Sequence, residues 1–211
     1  MNIATSISAD QPAGVSVVRD ARGLESFRDS ACAATLWDRA ASPDAISWLA
    51  GLDADTLPCG RVVVLANAVG ETAQHLCDIA GMPKGQQCDW LIDDIASLAQ
   101  RFSDLMQSAY LQLRLEAVAT NACRKFHLDA IMGRLVCTYR GTGTQYGTSV
   151  SGKEPEHIFT VPTGAPILLR GTRWPPKPEM GLLHRSPPIE GTGETRLVLV
   201  LDPIFDLETA E

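Results

Sequence analysis

The sequence predicts an α+β protein in which a helical N-terminal half, residues 1–110, packs on a strand-rich C-terminal half, residues 111–211. Two observations support this. Apolar residues recur at helical spacing in the first half, and from about Leu111 short apolar runs are separated by Gly, Pro and Thr. A chain of 211 residues with 45% hydrophobic residues can bury a substantial core. We therefore expect the two halves to form one integrated domain.

Three helices are predicted in the first half. Ser42 and Pro43 supply an N-cap and a first-turn proline for a helix ending at Gly51. Residues 71–80 form a second helix, which stops before a glycine and a nearby proline. Residues 89–110 form the longest, because their apolar side chains follow a helical period.

Two further segments of the first half have weaker patterns. Residues 21–39 favour a helix, and residues 61–68 fit either a strand or the start of the following helix. In the second half, strands are predicted at residues 113–120, 134–140, 157–161, 167–170, 181–184 and 196–201. Short strands at this spacing indicate a barrel or jelly roll of about 90 residues.

Composition excludes several classes of protein. A net charge of −7 and a pI near 5.1 disfavour binding to nucleic acid, which depends on clustered cations. The sequence contains no long apolar run and no basic, apolar leader, so we expect a cytoplasmic protein that does not bind membranes. None of the six cysteines forms a C-x-x-C pair, which argues against a zinc ribbon or a disulfide framework.

The candidate site begins with His127-Leu128-Asp129, followed by His184 and Arg196. Two imidazoles and one carboxylate are the ligands of a facial-triad ferrous site, which leaves part of the metal's coordination open. With 4 His and 15 Asp in 211 residues, chance supplies some His-x-Asp in about one chain in four. In an extended segment, however, His127 and Asp129 lie on the same face, and His184 follows a later apolar run. A metal-dependent oxygenase is the sharpest hypothesis.

Arg196 begins the very apolar strand Arg196-Leu197-Val198-Leu199-Val200-Leu201. Burying an unpaired charge costs several kcal/mol, so this side chain requires an anionic partner. That partner could be a ligand. It could also be Asp202 or Glu194, in a purely structural ion pair.

The order His-x-Asp, a gap of about fifty residues, His, and then Arg on the last strand resembles the Fe(II)/2-oxoglutarate-dependent oxygenase superfamily. "RLVCTYRGTG", "PTGAPILLRG" and "GLLHRSPP" are similar to the strands around the metal site of that superfamily. "FHLDAIMGRLVCTYRGTGT" and "GLLHRSPP" also resemble a bacterial family of unknown function, number 1826, over most of the chain.

The superfamily resemblance implies a double-stranded β-helix, a form of jelly roll, in the second half. It implies that His127, Asp129 and His184 bind Fe(II) and form the catalytic centre. It also implies that Arg196 binds the co-substrate 2-oxoglutarate, with Tyr139 or Thr138 adding a hydroxyl group. The helical first half would then cap the barrel and shape the pocket for a small-molecule, peptide or protein substrate.

Other interpretations remain open. The metal centre could belong to a cupin-like enzyme that does not use 2-oxoglutarate, or it could hold zinc in a hydrolase. The chain could also be a non-catalytic metal-binding or partner-binding module. His127 could be a core histidine capped by Asp129. Roles for Cys123, His157 and Arg185 are not decided by the sequence.

Overall fold

A computed structural model describes residues 11–149, 153–175 and 181–207. Three α-helices are present in the described residues, and they confirm the three predicted helices with shifted ends: α1 (Pro43–Gly51), α2 (Val69–Ile79) and α3 (Gln86–Met106). The predicted N-cap is also confirmed, because the Ser42 hydroxyl accepts a hydrogen bond from the Ala45 backbone N–H. No described helix is long and apolar enough to cross a membrane.

The described residues also form ten strands: β1 (Val15–Val18), β2 (Ala34–Trp37), β3 (Gly60–Leu65), β4 (Tyr110–Val118), β5 (Gly133–Arg140), β6 (Gln145–Thr148), β7 (Phe159–Thr160), β8 (Pro166–Arg170), β9 (Leu182–Arg185) and β10 (Arg196–Ile204). A large sheet of seven strands has the order β1-β2-β8-β5-β10-β4-β3, and a small sheet has the order β7-β6-β9. All pairs are antiparallel except β1 with β2. All six predicted strands of the second half are present.

The two faces of the large sheet bury different side chains. Along β10, Leu197, Leu199 and Leu201 pack into a core shared with α3, whereas Val198 and Val200 pack into a second core with residues of the small sheet. Because neighbouring side chains of a strand point to opposite faces, each β10 residue belongs to one core or the other. The molecule therefore has three layers: helices, the large sheet and the small sheet.

The predicted division into a helical first half and a strand-rich second half is not confirmed. β1, β2 and β3 all come from residues 1–110, and they form both edges of the large sheet. The helices pack on the face of this sheet that points away from the small sheet. The structure therefore does not place them as a cap over the space between the sheets.

One local prediction is corrected, one open alternative is decided, and one strand was not predicted. The proposed helix at residues 21–39 is a 3-10 helix (Ala21–Arg28) followed by β2. β2 is extended because it pairs with β1 on one side and β8 on the other. The segment 61–68 is mostly strand, since β3 pairs with β4. The strand β6 has no counterpart among the predicted strands.

Candidate metal centre

The segment containing His127 runs antiparallel to β9. Its backbone N–H donates to the carbonyl oxygen of His184 at 3.0 Å, and the N–H of His184 donates back to His127 at 3.0 Å. The two imidazole rings consequently lie 4.5 Å apart, measured between centroids. Leu128 points the other way and is 38% exposed, so it does not anchor the segment in a core.

His127, Asp129 and His184 direct one donor atom each toward a common point. His127 Nε2 lies 3.4 Å from Asp129 Oδ1, and His184 Nε2 lies 3.1 Å from Asp129 Oδ2. The three donor atoms all lie within 4.8 Å of one another. Two nitrogen donors and one carboxylate oxygen, clustered in this way, fit a divalent transition-metal ion.

The ring of His127 is oriented for this role. Its Nδ1 lies 2.8 Å from the carbonyl oxygen of Lys125. Because a carbonyl oxygen can only accept, Nδ1 carries the proton, and the lone pair of the neutral ring is on Nε2. A backbone acceptor behind the ring is the usual way in which proteins fix a metal-binding histidine.

The electrostatics of the cluster favour the metal-binding protonation states. Burial raises the pKa of Asp129, but the hydrogen bond and charge of His184, together with Arg134 and His127, lower it from 3.8 to about 2. Burial lowers the pKa of His184 below its usual value of 6.5, although Asp129 opposes this shift. At pH 7 the carboxylate is therefore ionised and His184 is neutral, as metal ligands must be.

Arg134, on β5, connects this carboxylate to a second one. Its Nη1 donates to Asp129 Oδ2 at 2.6 Å, while its Nε and Nη2 donate to Asp202 Oδ1 and Oδ2 at 2.7 and 2.8 Å. The paired contact with Asp202 fixes the guanidinium plane. Arg134 thereby restrains the direction in which Asp129 presents its oxygens.

We expect Arg134→Gln to lower the affinity for Mn²⁺ by about 10- to 100-fold, as is common when the partner of a metal ligand is removed. Arg134→Lys should fall between this variant and the unmodified protein, because an ammonium group cannot reproduce the planar contacts to two carboxylates. Titration calorimetry would measure the affinities, with Arg22→Gln, at an exposed position, as the control. Equal Mn²⁺ affinity in a folded Arg134→Gln variant would contradict a positioning role.

Arg196 lies in the pocket next to the triad. The pocket between the two sheets is lined by Arg196, Thr144, Val198, His127 and His184, among others. Arg196 is only 2% exposed, and its Nε donates to the Thr142 carbonyl oxygen at 2.6 Å. Burial lowers its pKa from 12.5 to about 10.

The structural ion pair considered for Arg196 is not formed. Asp202 is engaged by Arg134, and Glu194 accepts hydrogen bonds from the backbone N–H and hydroxyl of Thr142. Within the described part of the chain, Arg196 makes no ion pair with any carboxylate. A buried guanidinium thus faces the pocket without a carboxylate in ion-pair contact, although the nearby charge of Glu194 opposes the effect of burial on its pKa.

Thr138 and Tyr139 lie on opposite faces of β5. The Thr138 hydroxyl accepts a hydrogen bond from Arg196 Nη2 at 3.2 Å, beside the pocket. Tyr139 instead points toward the helices, where its hydroxyl donates to Asp94 Oδ2 at 2.6 Å. Adjacent strand residues cannot share a face, so Thr138 lies on the same side of β5 as the pocket residue Val136, where it contacts Arg196, whereas Tyr139 lies on the other side.

The remaining candidates have different surroundings. Arg185 lines the pocket, donates to Gln145 Oε1 at 2.8 Å and lies over the ring of Phe126. Cys123 is exposed at the mouth of the pocket. His157 is exposed and lies outside the pocket.

Sequence reasoning gave no role in the site to Arg134 and Arg114, both of which line the pocket. Alternation could have found them. Arg134 shares a strand face with Thr138, and Arg114 lies between the buried residues Leu113 and Leu115, which point to the helical side.

The fold is shared with a dioxygenase of known structure. The chain superposes on the rice dioxygenase for auxin oxidation with a TM-score of 0.51 and 13% sequence identity, covering 92% of this chain and 84% of that one. This similarity supports a mixed helix and sheet fold that resembles the fold of that dioxygenase. The chain belongs to the family described as "Protein of unknown function (DUF1826)", whose model matches residues 18–202.

Two other solved structures are similar at lower scores. The Pseudomonas putida prolyl-4-hydroxylase has a TM-score of 0.38 and 15% identity, covering 76% of this chain and 92% of that one. The Arabidopsis thaliana dioxygenase for auxin oxidation 1, in its complex with 2-oxoglutarate, has a TM-score of 0.47 and 12% identity, covering 73% of this chain and 65% of that one. No curated protein matches the chain.

Proposed function

We propose that the protein is an Fe(II)- and 2-oxoglutarate-dependent dioxygenase that hydroxylates a small molecule or a protein side chain. The observation that supports this most directly is Arg196. It is a buried cation with no carboxylate in ion-pair contact among the described residues, in the pocket that His127 and His184 also line. The shared fold with a dioxygenase agrees with this assignment.

Each residue has a defined task in this proposal. His127, Asp129 and His184 hold the iron, while Arg134 restrains Asp129. Arg196 binds the far carboxylate of 2-oxoglutarate in a charge-assisted contact. Its Nε is held by the Thr142 carbonyl oxygen and its Nη2 by Thr138, so the guanidinium has little rotational freedom to lose on binding.

Bound Fe(II) with 2-oxoglutarate would supply the activation of O₂, coupled to decarboxylation of the co-substrate to succinate. The chain's contribution is to bind, orient and exclude water. Val198 and Val200 form an apolar wall of the pocket between Arg196 and the Asp202 end of β10. An apolar wall strengthens the contact between Arg196 and a carboxylate, because it lowers the local dielectric constant.

The test is succinate formation from 2-oxoglutarate after Fe(II) is added to metal-free protein, measured with and without O₂. We expect slow, oxygen-dependent succinate formation even without the substrate. Arg196→Gln should weaken 2-oxoglutarate binding by at least about 10-fold, since a charge-assisted hydrogen bond contributes about 1.5–3 kcal/mol. The control is Arg22→Gln, at an exposed position.

Binding must be measured beside turnover, with Mn²⁺ in place of iron. If 2-oxoglutarate does not bind the Mn²⁺-loaded protein, or if Arg196→Gln binds it equally well, the co-substrate assignment is wrong. Metal analysis of the purified protein addresses the zinc alternative. Tightly retained zinc without 2-oxoglutarate binding would favour that alternative.

A further inference from the structure

A second arginine faces the pocket from β4, far from the proposed 2-oxoglutarate end. In the pairing of β4 with β10, Arg114 lies opposite Val200, whereas Arg196 lies opposite Val118. Four residues along a strand span about 13 Å. Arg114 and Arg196 both line the pocket, so they mark its two ends.

Arg114 has unused capacity for hydrogen bonding. Its Nε is buried and has no hydrogen-bond partner in the described structure. Its contacts to carboxylates are long: Nη2 lies 3.6 Å from Asp202 Oδ2, and Nη1 lies 4.0 Å from Glu116 Oε1. Asp202 already accepts two short hydrogen bonds from Arg134, which explains why it does not close on Arg114.

The charged groups around the pocket balance in number, but they are not evenly paired. Four guanidinium groups line it, and four carboxylates line it or act on these groups: Arg114, Arg134, Arg185 and Arg196, with Glu116, Asp129, Glu194 and Asp202. Asp129 and Asp202 make their short contacts with Arg134, and the charge of Glu194 acts on Arg196. Arg114 is left with carboxylate contacts of 3.6 and 4.0 Å only. A divalent metal ion and dianionic 2-oxoglutarate offset each other in charge, so together they supply no anion for Arg114.

We infer that the substrate carries a carboxylate and that Arg114 binds it; this inference rests on the proposed function. Two carboxylates, Asp202 and Glu116, lie within 4.0 Å of Arg114, so a singly charged carboxylate is repelled less there than a phosphate monoester, which carries nearly two negative charges at neutral pH. The planar guanidinium of Arg114, whose two Nη atoms make only long contacts with carboxylates, can donate two parallel hydrogen bonds to a carboxylate. Its position selects the substrate and does not contribute to 2-oxoglutarate binding.

The experiment uses the full chain loaded with Mn²⁺ and saturating 2-oxoglutarate, without O₂. Benzoate, phenylacetate and 3-phenylpropionate are titrated in parallel with their primary amides, and binding is followed by ligand-observed NMR. We expect at least one acid to bind at least about 10-fold more tightly than its amide. Arg114→Gln should abolish that preference and leave 2-oxoglutarate affinity unchanged, and Arg114→Lys should keep part of it.

Arg22→Gln, at a side chain that is 95% exposed, is the control and should retain the preference. Thermal denaturation establishes that each variant is folded. If no acid is preferred over its amide, or if folded Arg114→Gln keeps the preference, the inference is wrong while the proposed function stands. If 2-oxoglutarate binding is lost in Arg114→Gln but not in Arg196→Gln, Arg114 is the co-substrate residue, and both assignments fail.

If the unmodified protein does not bind 2-oxoglutarate, the proposed function fails first. The same acid and amide pairs, titrated into protein loaded with Mn²⁺ alone, then test Arg114 separately. If an acid then binds more tightly than its amide, and Arg114→Gln removes this difference, Arg114 is an anion site even without 2-oxoglutarate. Its absence would overturn the inference as well.

Discussion

Asp129→Ala is expected to lower the affinity for Mn²⁺ by more than about 100-fold. This effect is larger than the one expected for Arg134→Gln, which removes only a hydrogen-bond partner of the metal ligand. Asp129 is the only anionic donor of the described cluster, and both histidine Nε2 atoms lie within 3.4 Å of its oxygens. Removing it leaves two neutral nitrogens next to the positively charged Arg134. That arrangement repels a divalent cation.

Mn²⁺ binding can be followed by electron paramagnetic resonance, because the signal of free Mn²⁺ falls as the ion binds. Asp129→Asn tests charge at nearly constant shape and should also bind weakly. His157→Ala removes an exposed histidine outside the pocket and should bind as the unmodified protein does. Unchanged affinity in folded Asp129→Ala would show that the triad is not the metal site.

Asp94→Ala is expected to lower the free energy of unfolding by about 3–5 kcal/mol. Arg39 donates from Nη1 and Nη2 to the two oxygens of Asp94, both at 2.6 Å, and the Tyr139 hydroxyl donates to Oδ2. The side chains of Arg39 and Asp94 are only 14% and 11% exposed. The variant would leave a largely buried guanidinium and a buried hydroxyl without their acceptor.

Urea denaturation would measure the loss, with Asp93→Ala as the matched control. Asp93 is the preceding residue of α3 and is exposed, so its removal should change stability by less than about 0.5 kcal/mol. Combining Asp94→Leu with Arg39→Met should recover much of the loss, because the largest cost is the unpaired charge. A loss below about 1 kcal/mol in Asp94→Ala would contradict this account of the cluster.

Local patterns in the sequence were sufficient for the helices and for most strands. Ser42 and Pro43 mark the start of α1, and the apolar period of α3 marks the face that is buried. Caps and periodic burial depend on neighbouring residues, so they can be recognised without the fold. β2 could not be recognised in this way, because its conformation depends on β8, more than a hundred residues away.

The candidate site, too, could be predicted from the sequence only in part. Alternation along a strand placed His127 and Asp129 together, and it also implied that only one of Thr138 and Tyr139 could face the pocket. It did not say which one. That depended on which face of β5 meets the helices, and Tyr139 lies on that face, hydrogen-bonded to Asp94.

By itself, the sequence determined the three α-helices, six of the seven strands of the second half and the order of the residues proposed to bind metal and co-substrate. The tertiary structure decided that β1, β2 and β3 extend the large sheet, that Arg134 restrains Asp129, and that Arg114 and Arg196 lie at opposite ends of one pocket. The physical reason is the separation along the chain over which each kind of interaction acts. Periodicity and capping act over a few residues, whereas strand pairing and the pairing of buried charges join residues far apart in the chain.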